Sequence, residues 1–282
     1  MSKREIRVFD GATAIITGGA SGIGRALGEE LAKRGSEVVL ADLQIELAEE
    51  VASGIRVAGG KATALKLDVT DFSAVESLLR ETVERTGRLD YMFNNAGITI
   101  AGPISLHTIE DWNRIIDVNL RGVVNGVQVA YQIMLNQGFG HIVNTASTGG
   151  LVPNVISPSY TTTKYAVVGL SRVLRAEAAA EGIRVSVLIP GFVRTPMLEG
   201  GKYGKTLMDL SPEQERELRD TFEKLKPMSP DTFAGKALDA IAKNKAIIVE
   251  PSWWKLLWWI DRLSPRLTML QLRKQVMEIN KS

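Results

Sequence analysis

The 282-residue chain has no cysteine and only two histidines, His107 and His141. Without thiols there are no disulfides and no thiolate metal sites, and two imidazoles are too few for a histidine-based metal centre. A thiol-free chain suits a reducing compartment, so a cytoplasmic location is expected. No run reaches the ~18 apolar residues that a membrane-spanning helix needs. The opening M-S-K-R-E-I-R-V-F-D lacks an apolar core, so no secretory signal is expected. An excess of one charge is missing too: the formal net charge is +2, which gives no support for a nucleic-acid partner. What remains is ordinary globular composition, 45% hydrophobic and 23% charged, in a chain long enough for one large α/β domain or two small ones.

Short β-branched apolar runs alternate with helical patterns along most of the chain. Strands are expected at Ala12–Thr17, Glu37–Ala41, Ala62–Leu67, Leu89–Phe93, His141–Thr145, Ile183–Leu188 and Ala246–Val249. Helices are expected at Arg25–Arg34, Leu43–Val57, Asp71–Thr86, Ile109–Asn136, Pro158–Ala180 and Asp231–Lys243. That alternation predicts right-handed βαβ crossovers and a doubly wound, seven-stranded, mostly parallel sheet of Rossmann type with helices on both faces. No linker, repeat or low-complexity segment divides it, so residues 1–250 read as one domain. The stretch 192–230 shows little periodicity and several glycines, and reads as a functional loop or lid.

Thr17-Gly18-Gly19-Ala20-Ser21-Gly22-Ile23-Gly24 joins the first strand to the first helix. Its G-x-x-x-G-x-G spacing differs from the common dinucleotide fingerprint, but the physical demands match: a tight turn, close backbone approach to a pyrophosphate, and free N–H groups at a helix start. The other reading is a plain glycine-rich turn. Asp42 ends the second strand, 24 residues after Gly18, near the offset at which an acid meets the adenosine ribose hydroxyls. A carboxylate there would repel a 2′-phosphate, and the loop has no Arg or Lys before Gly24, so NAD is expected over NADP. Asp42 also precedes a helical run, as a helix cap would. Tyr160 and Lys164 lie four apart, on one helix face. An ammonium beside a phenol favours the phenolate, which would draw its pKa from ~10 toward the range where acid–base catalysis works. A solvated surface pair has the same spacing.

These residues carry a resemblance. T-G-G-A-S-G-I-G at 17–24, Asp68 with Val69, N-N-A-G at 94–97, Asn119 in V-N-L-R-G, Ser147, Y-T-T-T-K at 160–164 and P-G-F-V-R-T at 190–195 occur in the order and spacing of short-chain dehydrogenases/reductases of the classical subgroup. The match covers about residues 10 to 250 and shows no departure at a catalytic position. The resemblance implies Tyr160 as acid/base, and Lys164 as the lysine that lowers its pKa and holds the nicotinamide ribose. It implies Ser147 as the serine bonded to the substrate oxygen and Asn119 as holder of a water in the proton relay. For the cofactor it implies Gly18, Ser21, Gly22, Ile23 and Gly24 around the pyrophosphate, and Asp42 on the ribose. Asp68 and Val69 would line the adenine pocket, with Asn95 and Gly97 in the loop beside the cofactor. Val193 and Thr195 would meet the nicotinamide carboxamide. It also suggests a homodimer or homotetramer through the two long helices.

The tail, 251–282, differs from the rest. It opens P-S-W-W-K-L-L-W-W-I-D-R-L-S-P and holds four of the five tryptophans, six basic residues and two acidic ones. Three readings stay open: an oligomer interface or a helix packed on the substrate loop, a lid for a lipophilic substrate, and peripheral membrane contact. The function expected is NAD-dependent interconversion of a secondary alcohol and a ketone, with a lipophilic substrate of steroid, retinoid or long-chain type. The alternatives are an NADPH-dependent ketoacyl-type reductase and a catalytically idle nucleotide-binding protein anchored by its tail.

Overall fold

The structure, a computed structural model, describes residues 5–199 and 203–279. Gly200, Gly201 and Lys202 of the expected substrate loop, and Lys281 of the basic tail, lie outside the described residues. In chain order the elements begin β1 (Thr13–Thr17), α1 (Gly22–Lys33), β2 (Glu37–Asp42), α2 (Ile45–Val57), β3 (Lys61–Lys66), α3 (Phe72–Thr86) and β4 (Tyr91–Asn94). Then come β5 (Thr99–Ala101), α4 (Ile109–Ile116), α5 (Gly122–Gln137), β6 (Gly140–Thr145), α6 (Pro158–Ala178) and β7 (Ile183–Pro190). The chain continues through β8 (Gly204–Thr206), α7 (Pro212–Lys224), α8 (Pro230–Ala242), β9 (Ile247–Glu250), α9 (Trp254–Leu263) and α10 (Pro265–Ile279).

Seven strands form one sheet in the order β3-β2-β1-β4-β6-β7-β9, and every pairing in it is parallel. Side chains alternate across it: Ile15 and Val39 join the core under α3, α5 and α6, while Ile16, Val38 and Leu40 join the core under α1, α2 and α8. Both faces are thus covered, which is why the strands read as apolar runs rather than as alternating ones. Strand order reverses between β1 and β4, so a crevice opens at their carboxyl ends, where doubly wound sheets bind their ligands.

Two expectations need correction. The helix expected over Ile109–Asn136 is two α-helices joined by a π-helical turn, Asp117–Arg121, that contains Asn119. Such turns widen the backbone spiral and re-aim a side chain, and they cluster at functional sites. The stretch 192–230 is also not featureless. It holds β8, which pairs with β5, and α7. Its base is closed where Met228 N donates to Phe192 O at 3.0 Å and Arg194 N donates to Met228 O at 2.9 Å. The tail forms two helices, and no described helix is long and apolar enough to cross a membrane.

Candidate active site

The crevice begins at the glycine loop. Gly18 has φ +67°, a conformation that a side chain resists, and a Cβ there would stand 2.9 Å from Ala96 Cα. A Cβ at Gly24 would overlap the carbonyl oxygen of Gly18. The loop therefore packs against the N-N-A-G segment with no room for side chains. Ser21 occupies the N-cap of α1 without a side-chain cap bond, and the first turn, which includes Ile23, has no acidic residue. That combination suits an anion at the helix start. Thr195 stands at the loop, since a Cβ on Gly22 would be 3.2 Å from its Cγ2. Val193 is buried beside it in the pairing with Met228.

The Asp42 carboxylate closes the far side. Its Oδ2 accepts from Ala20 N at 3.0 Å and its Oδ1 accepts from Gln44 N at 3.0 Å. The N-cap of α2 is Gln44, so Asp42 braces the glycine loop rather than capping the helix. Asp68 is exposed and accepts from Thr70 N at 2.9 Å and Thr70 Oγ1 at 2.8 Å. Val69 is buried, its carbonyl held by Asn125 Nδ2 at 2.9 Å. Asn95 acts as a bracket: Nδ2 donates to Thr17 O at 3.1 Å, and Oδ1 accepts from Thr145 Oγ1 at 3.3 Å. These residues fit a dinucleotide by their geometry: a side-chain-free cradle at a helix start, with an oriented carboxylate at one end.

The other end holds the expected acid–base group. The Ser147 hydroxyl stands close enough to the Tyr160 phenol to favour its ionisation, and its Oγ accepts from Gly149 N at 3.1 Å. Lys164 Nζ lies 5.5 Å from the centroid of the Tyr160 ring and donates to Thr145 O at 3.0 Å. A Cβ on Gly97 would come 3.3 Å from Asn119 Oδ1 and 3.5 Å from Lys164 Nζ, so Gly97 sits in the notch between them. The Asn119 amide is committed to Ile98: Oδ1 accepts from Ile98 N at 2.8 Å and Nδ2 donates to Ile98 O at 2.9 Å. Asn119, Ser147, Tyr160 and Lys164 are thus brought together, with Asn119 positioning the loop beside the lysine.

The electrostatics correct one expectation. Burial pushes the Tyr160 phenol above its ordinary pKa, and the Ser147 hydroxyl works against that rise. Burial also lowers the Lys164 ammonium, to about 8. Burial favours the neutral form in both cases, so the net shift of the phenol is upward rather than downward as the spacing implied.

Sequence reasoning missed the partners that close the site. Gln44 Nε2 donates to the Tyr203 hydroxyl at 2.6 Å, and Lys205 Nζ meets Asp111 Oδ1 at 2.7 Å. His107 Nε2 lies 3.0 Å from Ser159 Oγ, next to Tyr160. Thr163, inside Y-T-T-T-K, bonds Tyr160 O at 2.8 Å. One missed element had a visible signal: Ser211-Pro212-Glu213-Gln214 is a capping box, and it starts α7.

Comparison with known proteins gives the family and agrees with the fold. Residues 12–203 match the family model described as short chain dehydrogenase. A 2,5-dichloro-2,5-cyclohexadiene-1,4-diol dehydrogenase of Sphingobium indicum is 41% identical over 193 residues, 68% of this chain and 76% of that protein. Levodione reductase of Leifsonia aquatica is 36% identical over 222 residues, 78% of this chain and 81% of that one. Among solved structures, a short chain dehydrogenase/reductase from Burkholderia phymatum in complex with NAD has a TM-score of 0.83 at 29% identity, covering 93% of this chain and 96% of that chain.

Proposed function

This chain belongs to the short-chain dehydrogenase/reductase family and is an oxidoreductase of alcohol- and ketone-type substrates; from that premise we propose that it interconverts a lipophilic secondary alcohol and its ketone with NAD(H), using Tyr160 as acid/base. The observation that carries the chemistry is Lys164 Nζ, 5.5 Å from the Tyr160 ring and tied to Thr145 O at 3.0 Å, with the Ser147 hydroxyl close enough to the phenol to ease its ionisation. Bound NAD supplies the hydride acceptor. Ser147 holds the substrate oxygen beside the phenol, so the reactants start near attack geometry. Tyr160 takes the hydroxyl proton in oxidation and returns it in reduction. Lys164, fixed by Thr145 O, stands where it can hold the nicotinamide ribose and stabilise the phenolate. Asn119 keeps residues 97–98 against that lysine.

The choice of NAD rests on Asp42, whose carboxylate is aimed by two backbone N–H groups and would meet a 2′-phosphate with like charge. A lipophilic substrate is supported by the aromatic contacts at the base of the substrate loop, Phe192–Phe222 and Phe192–Trp254, and by ring-bearing substrates in the name of one relative. Assembly as a homodimer or homotetramer through α5 and α6 is part of the same reading, supported by Tyr165 and Val173, which stand exposed on α6. Tail contact with a membrane also belongs to it.

Tyr160→Phe tests the assignment. Turnover of secondary alcohols should fall by at least ~10³-fold, while NADH binding, read by fluorescence, stays nearly intact. Comparable turnover in the variant would sink it.

A further inference from the structure

The tail presents apolar surface that the rest of the molecule leaves uncovered. On α9, Trp254, Leu257, Trp258 and Asp261 share one face and are half-buried. Trp254 and Trp258 pack on the core under α6, and burial, with the nearby Asp261 carboxylate adding to it, raises the Tyr165 phenol. Trp253, Leu256, Ile260 and Leu263 recur at i, i+3, i+7, i+10 on the opposite face and are exposed, Leu256 by 66% and Leu263 by 79%. Trp259 is exposed at its margin, next to Lys255 and Arg262. On α10, Leu267, Leu270 and Met277 repeat the pattern, all exposed, with Arg266 and Arg273 beside them.

We propose that the outer face of α9–α10 docks on an anionic lipid surface. The inference rests on the reading of a lipophilic substrate and names the surface that delivers it. Charge selects the occupant. Residues 251–279 hold five basic and two acidic side chains, and the acid on α9 is turned inward. Lys224 and Lys226 line a groove of about 550 Å³ beside Trp253 and add cations at the same edge. A second copy of this helix pair would bring like charges together across an isologous contact. Anionic headgroups offer the opposite charge, while tryptophan and leucine enter the acyl boundary and the long basic side chains reach back to the phosphates. The start of α9 is fixed at the substrate loop: Trp254 fills the space over Gly191 and meets Phe192, where that loop begins. Docking therefore sets that loop beside the lipid.

The test is co-sedimentation of the full chain with vesicles of phosphatidylcholine, with and without about a third phosphatidylglycerol. Partitioning should be roughly tenfold stronger or more on the anionic vesicles, and the difference should vanish near ~0.5 M salt. The triple variant Leu256→Ser, Trp259→Ser, Leu263→Ser should weaken binding to both by about tenfold or more. Arg262→Gln, Arg266→Gln, Arg273→Gln should remove only the anionic preference. Quenching of tryptophan fluorescence by acyl-brominated lipid reads the same contact in the unaltered chain, should either variant fail to fold. Absence of partitioning, absence of quenching, or unchanged partitioning in the apolar variant each overturns the proposal. So does a variant whose oligomer mass falls while its vesicle binding stays. None of these readouts needs alcohol or cofactor, so failure of the oxidoreductase reading would show separately, as absent turnover.

Discussion

Asp42→Asn changes one charge and little shape. The carboxylate is buried and accepts one backbone N–H at each oxygen, both at 3.0 Å. An amide keeps one acceptor and turns its NH2 toward the other donor, leaving Ala20 N or Gln44 N unpaired at a cost of about 1–3 kcal/mol. The cofactor effect is separate. A charge-assisted bond to a ribose hydroxyl contributes about 1.5–3 kcal/mol, so the dissociation constant for NADH should rise roughly 10- to 150-fold. In the unaltered chain a 2′-phosphate about 4 Å from the carboxylate would be repelled by ~4 kcal/mol per charge pair at an effective dielectric of ~20. NADH should therefore bind at least ~100-fold tighter than NADPH, and Asp42→Asn should collapse that ratio to within about tenfold. Fluorescence titration with both reduced coenzymes measures it, and a thermal melt tracks the stability cost. Equal affinity for NADPH in the unaltered chain, or an unaltered ratio in the variant, refutes the reasoning.

Gly24→Ala drives a methyl into Gly18 O, so either the loop or α1 must shift; a melting temperature lower by several degrees and NADH affinity weaker by about tenfold or more are expected, and unchanged titrations would contradict the packing. His141 is fully buried, its Nε2 2.8 Å from Ser186 Oγ, and burial lowers its pKa to about 3. The unfolded chain then binds the extra proton between pH ~6.5 and 3, so stability is lost on acidification through that window, by about 2 kcal/mol from pH 7.5 to 5. The melting temperature of His141→Gln should fall less over that range, and an imidazole NMR titration near pH ~6.5 for His141 would contradict this. Because the Tyr160 phenol is raised, kcat/KM for ketone reduction should stay flat through neutral pH while that for alcohol oxidation climbs into the alkaline range; an oxidation plateau already reached at pH ~6 would count against it.

The sheet was legible because each strand is an apolar run set between glycines and caps, and burial on both faces demands that pattern. The cluster of Ser147, Tyr160 and Lys164 was legible because helix periodicity fixes the Tyr160–Lys164 face. The π-helical turn was not. Asn119 looks like a poor helix former, but nothing in V-N-L-R-G specifies a widened turn; the paired bonds to Ile98 come from a loop 21 residues away. β5 and β8 escaped for a related reason: three-residue strands have too little alternation to read, and their pairing joins segments about a hundred residues apart. The cavity-filling role of Trp254 could not be read either, because it depends on a missing side chain at Gly191.

The raised phenol and the lowered lysine bear on how the site works. Burial disfavours both charged forms, yet the proposed chemistry needs the phenolate in one direction and the phenol in the other. With its pKa near 8, Lys164 remains mostly protonated at neutral pH. A unit charge at about 5 Å favours a phenolate by ~3 kcal/mol at an effective dielectric of ~20, which is ~2 pKa units. That help opposes the burial penalty without abolishing it. In the proposed chemistry the resting site would therefore act as an acid toward a ketone oxygen held by Ser147. In the proposed oxidation a bound oxidised nicotinamide would add positive charge, which favours the phenolate. On the proposed reading the same four residues would serve both directions. On that reading the substrate would be selected by the loop that begins at Phe192, where Trp254 packs against it.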